Sequence, residues 1–138
     1  MPRASLDPLA RMRKICLAFP EVTERVSHGA PTWFVRDKTV FVTFMENGHH
    51  QNQFPHLWCA APPGAQADLI AANPARFFRP PYVGQRGWLG VRTDGDVDWD
   101  EVAELCEEAY RVIAPTRLVR ALDGLESSEV AGRGSTEP

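Results

Sequence analysis

The sequence predicts a two-layer α+β domain, an antiparallel sheet of about five strands covered by an N-terminal helix, a middle helix and a long C-terminal helix. Three observations carry this expectation. Apolar residues recur at helical spacing near the start, at Leu9, Met12, Ile15, Cys16 and Phe19, and again from Trp99 to Ile113. Between these stretches, Val22 to Met45 is dense in β-branched and aromatic residues, which suit a pleated surface. Gly29-Ala30-Pro31 and Asp37-Lys38 punctuate that block where a break and a tight hairpin turn belong.

Each element has a local reason. Asp7 followed by Pro8 marks a helix start, with Asp as N-cap and Pro at the first helical position, and Pro20 ends that helix. Two or three antiparallel strands follow within Val22–Met45. Glu46 to Pro55 is polar and reads as a loop, and Leu57 to Ala61 as a further short strand. Pro62-Pro63-Gly64 opens the middle helix, with Leu69 and Ile70 facing inward, and Asn73-Pro74 closes it. Pro80-Pro81 restricts Phe77–Val83 to irregular structure or an edge strand. Tyr82-Val83, the Gly84–Gly87 turn and Trp88–Arg92 are expected to form a hairpin. Asp98 with Glu101 resembles a capping box, and behind it Trp99, Val102, Cys106, Ala109, Tyr110 and Ile113 make one apolar stripe. After Pro115, Leu118–Leu122 adds a turn. Residues 1–122 are expected to form one domain, and 123–138 a disordered tail rich in Gly, Ser, Glu and Thr.

Composition narrows the class. At 138 residues, 43% hydrophobic and 24% charged, the chain fits a single core. No apolar run approaches the roughly 20 residues of a membrane span, and Met1–Pro20 does not read as a signal peptide. Cys16, Cys59 and Cys106 are odd in number and widely spaced, which favours reduced thiols and a cytoplasmic location over a disulfide framework. Net charge is −3, yet it is polarised along the chain: Arg25–Arg92 holds seven basic residues against three acids, and Asp98–Glu108 holds six acids and no base. Residues 1–122 carry 14 of each sign, so any polyanion affinity rests on segregation.

Four stretches carry a family likeness: Val22-Thr23-Glu24, His28–Val35, Phe77–Val91 and Asp98–Val102. With the Tyr82–Val91 run as their most specific part, they resemble the MmcQ/YjbR-like family across Leu9–Leu122. The resemblance implies an antiparallel sheet covered by helices, similar to secretion-chaperone-like folds. Members are usually labelled DNA-binding because the sheet looks like a double-wing platform, a label that rests on fold analogy. The resemblance brings no catalytic residues.

The sharpest local feature is Gly84-Gln85-Arg86-Gly87, where two glycines permit close backbone approach and Arg86 would stand at the tip. It suits a phosphate clamp, or simply a turn whose glycines satisfy its geometry. Arg36, Lys38, Arg79, Arg86 and Arg92, with Gly84, Gly87 and Trp88, make the expected nucleic-acid-binding set, in which cations neutralise phosphates and aromatics stack on bases. Trp33, Tyr82 and Trp88 serve equally well as core. His49, His50, His56 and Cys59 invite a metal reading, but their spacing lacks the paired pattern of a structural site. His28 has no nucleophile and acid arranged around it. The acids of the last helix favour its N-terminus and solvate its outer face. No Walker loop, dinucleotide fingerprint or nucleophile elbow is present. The expectation is a non-enzymatic binding module without cofactor or metal, a monomer or weak dimer. DNA is its first expected partner, a protein partner the alternative, and a small ligand third.

Overall fold

The computed structural model describes residues 7–50 and 52–135, with side chains described as far as Glu126. Helix α1 spans Pro8–Cys16; strands β1 Val22–Ser27, β2 Ala30–Val35, β3 Thr39–Met45 and β4 His56–Cys59 follow. Helix α2 (Ala65–Ala72), strand β5 (Phe77–Phe78), a 3-10 turn (Val83–Arg86) and strand β6 (Leu89–Arg92) precede α3 (Trp99–Ile113) and α4 (Thr116–Ser135). The six strands form one sheet in the order β1-β2-β3-β4-β6-β5, and every neighbouring pair is antiparallel. The α+β class therefore holds, with six strands rather than about five.

The helix starts follow the capping logic. Asp7 accepts a hydrogen bond from the Ala10 amide at 2.7 Å, and Asp98 accepts from Asp100 and Glu101 at 3.1 Å each. His28 and Gly29 join β1 to β2 with φ of 52° and 79°, and Ser27 faces Ala30 across the turn. Positive φ at both central residues is the habit of a type I′ hairpin turn.

Period-two alternation divides the sheet into two faces. On one, Trp33, Phe44, Leu57, Leu89 and Val91 are buried beneath the helices. A bulge between Trp33 and Phe34 inserts Phe41 as the extra residue of β3. Its ring meets Tyr110 edge-on at 5.7 Å, and Phe19 stacks on Tyr110 at 5.0 Å. The Tyr110 hydroxyl donates to the Pro20 carbonyl at 2.7 Å, tying α3 to the connection after α1. All three cysteines are free and buried, and burial pushes the Cys59 thiol well up.

One expectation needs correction. Tyr82-Val83 does not form a hairpin with Trp88–Arg92: Val83–Arg86 is a 3-10 turn, and β6 pairs instead with β4 and with Phe77–Phe78. Pro81 has no amide to donate, and the chain turns at Tyr82, where the Val83 amide bonds the Pro81 carbonyl at 2.6 Å. Residues 123–135 continue α4, and its first turns are tied to α3 by Arg111, which reaches Glu107 at 3.0 Å, Asp123 at 2.8 Å and Glu126 at 3.4 Å. The opposite charges that make this bridge are twelve and more residues apart, beyond the reach of local pattern. Residues 136–138 lie outside the described residues.

Candidate functional site

The second face of the sheet carries no helix among the described residues. Register places Thr32 and Phe34 of β2, Thr43 and Met45 of β3, and Trp58 of β4 on it. Walls come from Ser27 and His28 of the β1–β2 turn, from His49 in the loop after β3, and from Tyr82, Val83 and Trp88 of the segment after β5. Together they enclose a recess of about 540 Å³, within the size range of small-molecule pockets. Arg25 lies over Phe34, its guanidinium carbon 3.7 Å from the ring centroid, and pairs with Asp37 at the edge of this face.

Most of the lining is apolar, but two polar atoms stand out. Trp58 is 8% exposed, and its indole N–H is buried without a hydrogen-bond partner; the same is true of His49 Nδ1. A buried donor left unsatisfied costs about 1–3 kcal/mol, and such orphans are few in native structures. Burial, with His50 alongside, holds the His49 ring below its usual pKa, so it is neutral at pH 7 and offers one donor and one acceptor. The His49 ring centroid lies 5.1 Å from that of Trp58 and 6.2 Å from that of Tyr82.

Tyr82 is strained as well as central. Its φ of 64° and ψ of −66°, with the Val83–Pro81 hydrogen bond, make a γ-turn of positive φ, a conformation costing a non-glycine residue about 1–3 kcal/mol. Its side chain is 71% exposed. Beyond it lies a second, more open recess of about 890 Å³, which shares His49 and Tyr82 with the first and is lined by His50, Asn52, Phe78 and Arg79. Behind that wall His56 is fully buried, its Nδ1 2.8 Å from the Phe54 carbonyl and its Nε2 unpartnered.

The expected basic set is only partly brought together. Arg79, Gly84, Arg86, Gly87 and Trp88 share one compact segment. The Arg79 stem fills the space a side chain at Gly84 would take, and Arg86 lies over the Trp88 ring at 5.3 Å. Arg36 and Lys38 sit in the β2–β3 turn, beside Ile113 and Pro115 at the end of α3, and Arg36 pairs with Glu21 at 3.6 Å. Arg92 is cross-strand from His56, which itself pairs with Met45. Thr39 to Met45 spans six strand steps, about 20 Å, so Arg92 and the Arg36–Lys38 turn belong to opposite ends of the sheet. Asp94 also chelates Arg92, at 3.0 and 2.7 Å, and this pairing pulls the Asp94 carboxyl below its usual range.

The histidines and Cys59 do not converge as metal ligands. His56 and Cys59 are three residues apart on one strand and so face opposite sides of the sheet. Among the described residues no group of three or more His, Cys, Asp or Glu side chains is placed to hold an ion. Sequence reasoning missed Phe34, Thr43, Met45 and Trp58 as lining residues. The signal was there in part: Thr32/Phe34 and Thr43/Met45 share a parity along their strands, and a face of such residues with no helix to cover it is available for a ligand.

Among the described residues no helix is long and apolar enough to cross a membrane. No curated protein matches the chain. Among solved structures it is similar to the crystal structure of the Deinococcus radiodurans protein DR2400, which carries a DUF419 domain. The TM-score is 0.64 at 15% identity, over 78% of this chain and 79% of that one, a likeness of fold. The model of the YjbR family matches residues 17–112, which takes in β1 to β6 and nearly all of α3. His28–Val35 and Tyr82–Val91, the runs that carry the family likeness, form the β1–β2 turn with β2 and the strained segment with β6: the chain belongs to the YjbR family.

Proposed function

We propose that the protein is a non-enzymatic binding module whose ligand, a small molecule, enters the recess on the helix-free face of the sheet. The observation that carries this reading is the recess itself, about 540 Å³ on a sheet face that no helix covers among the described residues, with Phe34, Trp58, Tyr82 and Trp88 in its walls. Apolar walls supply affinity through area removed from water, and a few fixed polar groups supply orientation. The non-catalytic part is supported by the titratable groups at hand. His28 and His49 line the recess with no carboxylate bonded to either ring among the described residues, so no base is oriented by an acid.

The test is a titration with phenylnaphthylamine, a neutral dye that fluoresces on leaving water. Wild type is expected to bind it saturably. Thr43→Trp, which fills the recess from a half-buried position, should weaken it by about tenfold or more, equivalent to about 1.4 kcal/mol. Equal binding by both proteins, each shown to be folded by circular dichroism, would remove the recess as the site.

A second reading, DNA binding, keeps one specific support. Lys38, Arg79 and Arg86 are exposed and have no carboxylate within ion-pair reach among the described residues. Only Arg79 and Arg86 lie on one segment, so a log–log salt slope near two is the expected ceiling for that surface. Anisotropy with a labelled duplex at low and moderate salt, on wild type and Arg79→Ala/Arg86→Ala, tests it. No binding at low salt would eliminate this reading.

A further inference from the structure

We infer, resting on the recess reading above, that the ligand is bipartite: a planar aromatic or heteroaromatic ring carrying an anionic group. The ring occupies the recess on the sheet face and the anion the more open one beside it. Three observations point the same way. The recess on the sheet face has Phe34, Trp58, Tyr82 and Trp88 in its walls, aromatic surfaces that suit a planar ring.

The open recess has the complementary character. Arg79 lines it, exposed and without a carboxylate partner among the described residues, and His50 and Asn52 stand with it as further donors. Among the described residues no acid lines either recess, so an anion there meets no like charge. The packing of the Arg79 stem on Gly84 confines its reach, which lowers the ordering cost of binding. The two recesses meet at His49 and Tyr82. An exposed tyrosine held at φ 64° on this boundary is strain kept where one molecule would cross from one compartment to the other.

Carboxylate, sulfonate and phosphate share the chemistry that Arg79 would recognise. The test therefore uses anilinonaphthalene sulfonate beside phenylnaphthylamine, which has the same rings without the anion. Wild type should bind the sulfonate about tenfold more tightly than the neutral dye, as a single charge-assisted contact allows. Arg79→Met keeps the stem on Gly84 and deletes the charge; it should abolish that preference, read as the ratio of the two dyes' affinities. Arg79→Lys should retain part of it. Equal affinity for the two dyes, or a preference that survives Arg79→Met, overturns the bipartite ligand, and the recess still stands if Thr43→Trp excludes both. If Thr43→Trp leaves both dyes bound, the recess reading falls and this inference with it.

Discussion

The ring of Phe78 occupies the space that any side chain at Gly90 would need. A Cβ built on Gly90 would come within 2.5 Å of two ring carbons of Phe78, its cross-strand partner in the β5–β6 pair. Gly90 is the second glycine of the Gly-Trp-Leu-Gly-Val run, and it is there for close approach, since its φ is not positive.

Gly90→Ala is therefore expected to cost about 1–3 kcal/mol, the usual range for overpacking a filled site. Combining it with Phe78→Leu should cost less than the sum of the two single changes, because both act on one contact. Urea unfolding of the three variants measures the coupling. Strict additivity would show that Phe78 is not the obstacle.

Tyr82 offers the opposite case. Tyr82→Gly relieves the positive-φ strain at the expense of added chain entropy, so stability should be unchanged or rise by up to about 1 kcal/mol. Dye binding should weaken, because the wall shared by both recesses is lost. A thermal melt and a dye titration on the same preparation suffice. Loss of stability with intact binding would contradict the role given to this residue.

His56 links stability to pH. Burial holds its pKa below the ordinary 6.5, and the nearby His49 and Arg92 oppose protonation further. The unfolded chain takes up a proton near pH 6.5 while the folded one does not. The contribution is thus fully present above pH 6.5 and is lost as pH falls through that value toward the folded pKa, at up to about 1.4 kcal/mol per pH unit. Urea unfolding at pH 7, 6 and 5 should show the decline, and His56→Gln should flatten it in part, His49 supplying the remainder. An unchanged slope would remove His56 as its source.

Arg111 holds α4 to α3 through two carboxylates, Asp123 and Glu126, with Glu107 of its own helix alongside, and its bonds to Asp123 and Glu107 raise its pKa. Arg111→Met should leave the sheet intact and release the turns beyond Leu122. Hydrogen exchange would then rise at residues 123–126 by about three- to tenfold, while exchange in β3 and β4 stays unchanged. The loss is expected to be modest, about 1 kcal/mol, because the partners are part-exposed.

Much of the fold was legible because its causes are local. Asp7-Pro8 and Asp98 announce helix starts through capping. Val22–Met45 announces strands through shape, and the Trp99–Ile113 stripe announces the buried face of α3. The short pair β5–β6 was not legible. Two residues, Phe77 and Phe78, have no periodicity to detect, and their pairing with Gly90 and Val91 depends on a chain reversal at Tyr82 that no propensity suggests.

The site divides along the same line. Sequence alone determined which residues are cationic, which are aromatic and, away from the bulge at Phe41, which parity each takes along its strand, because these follow from composition and a period of two. Only the tertiary structure decided that Arg36 and Lys38 stand at the opposite end of the sheet from Arg92, and that Asp94 neutralises Arg92. It likewise decided that Trp58, Phe34 and Tyr82 surround one recess. Such convergence is set by strand order and register, which join residues dozens of positions apart through packing against the whole core.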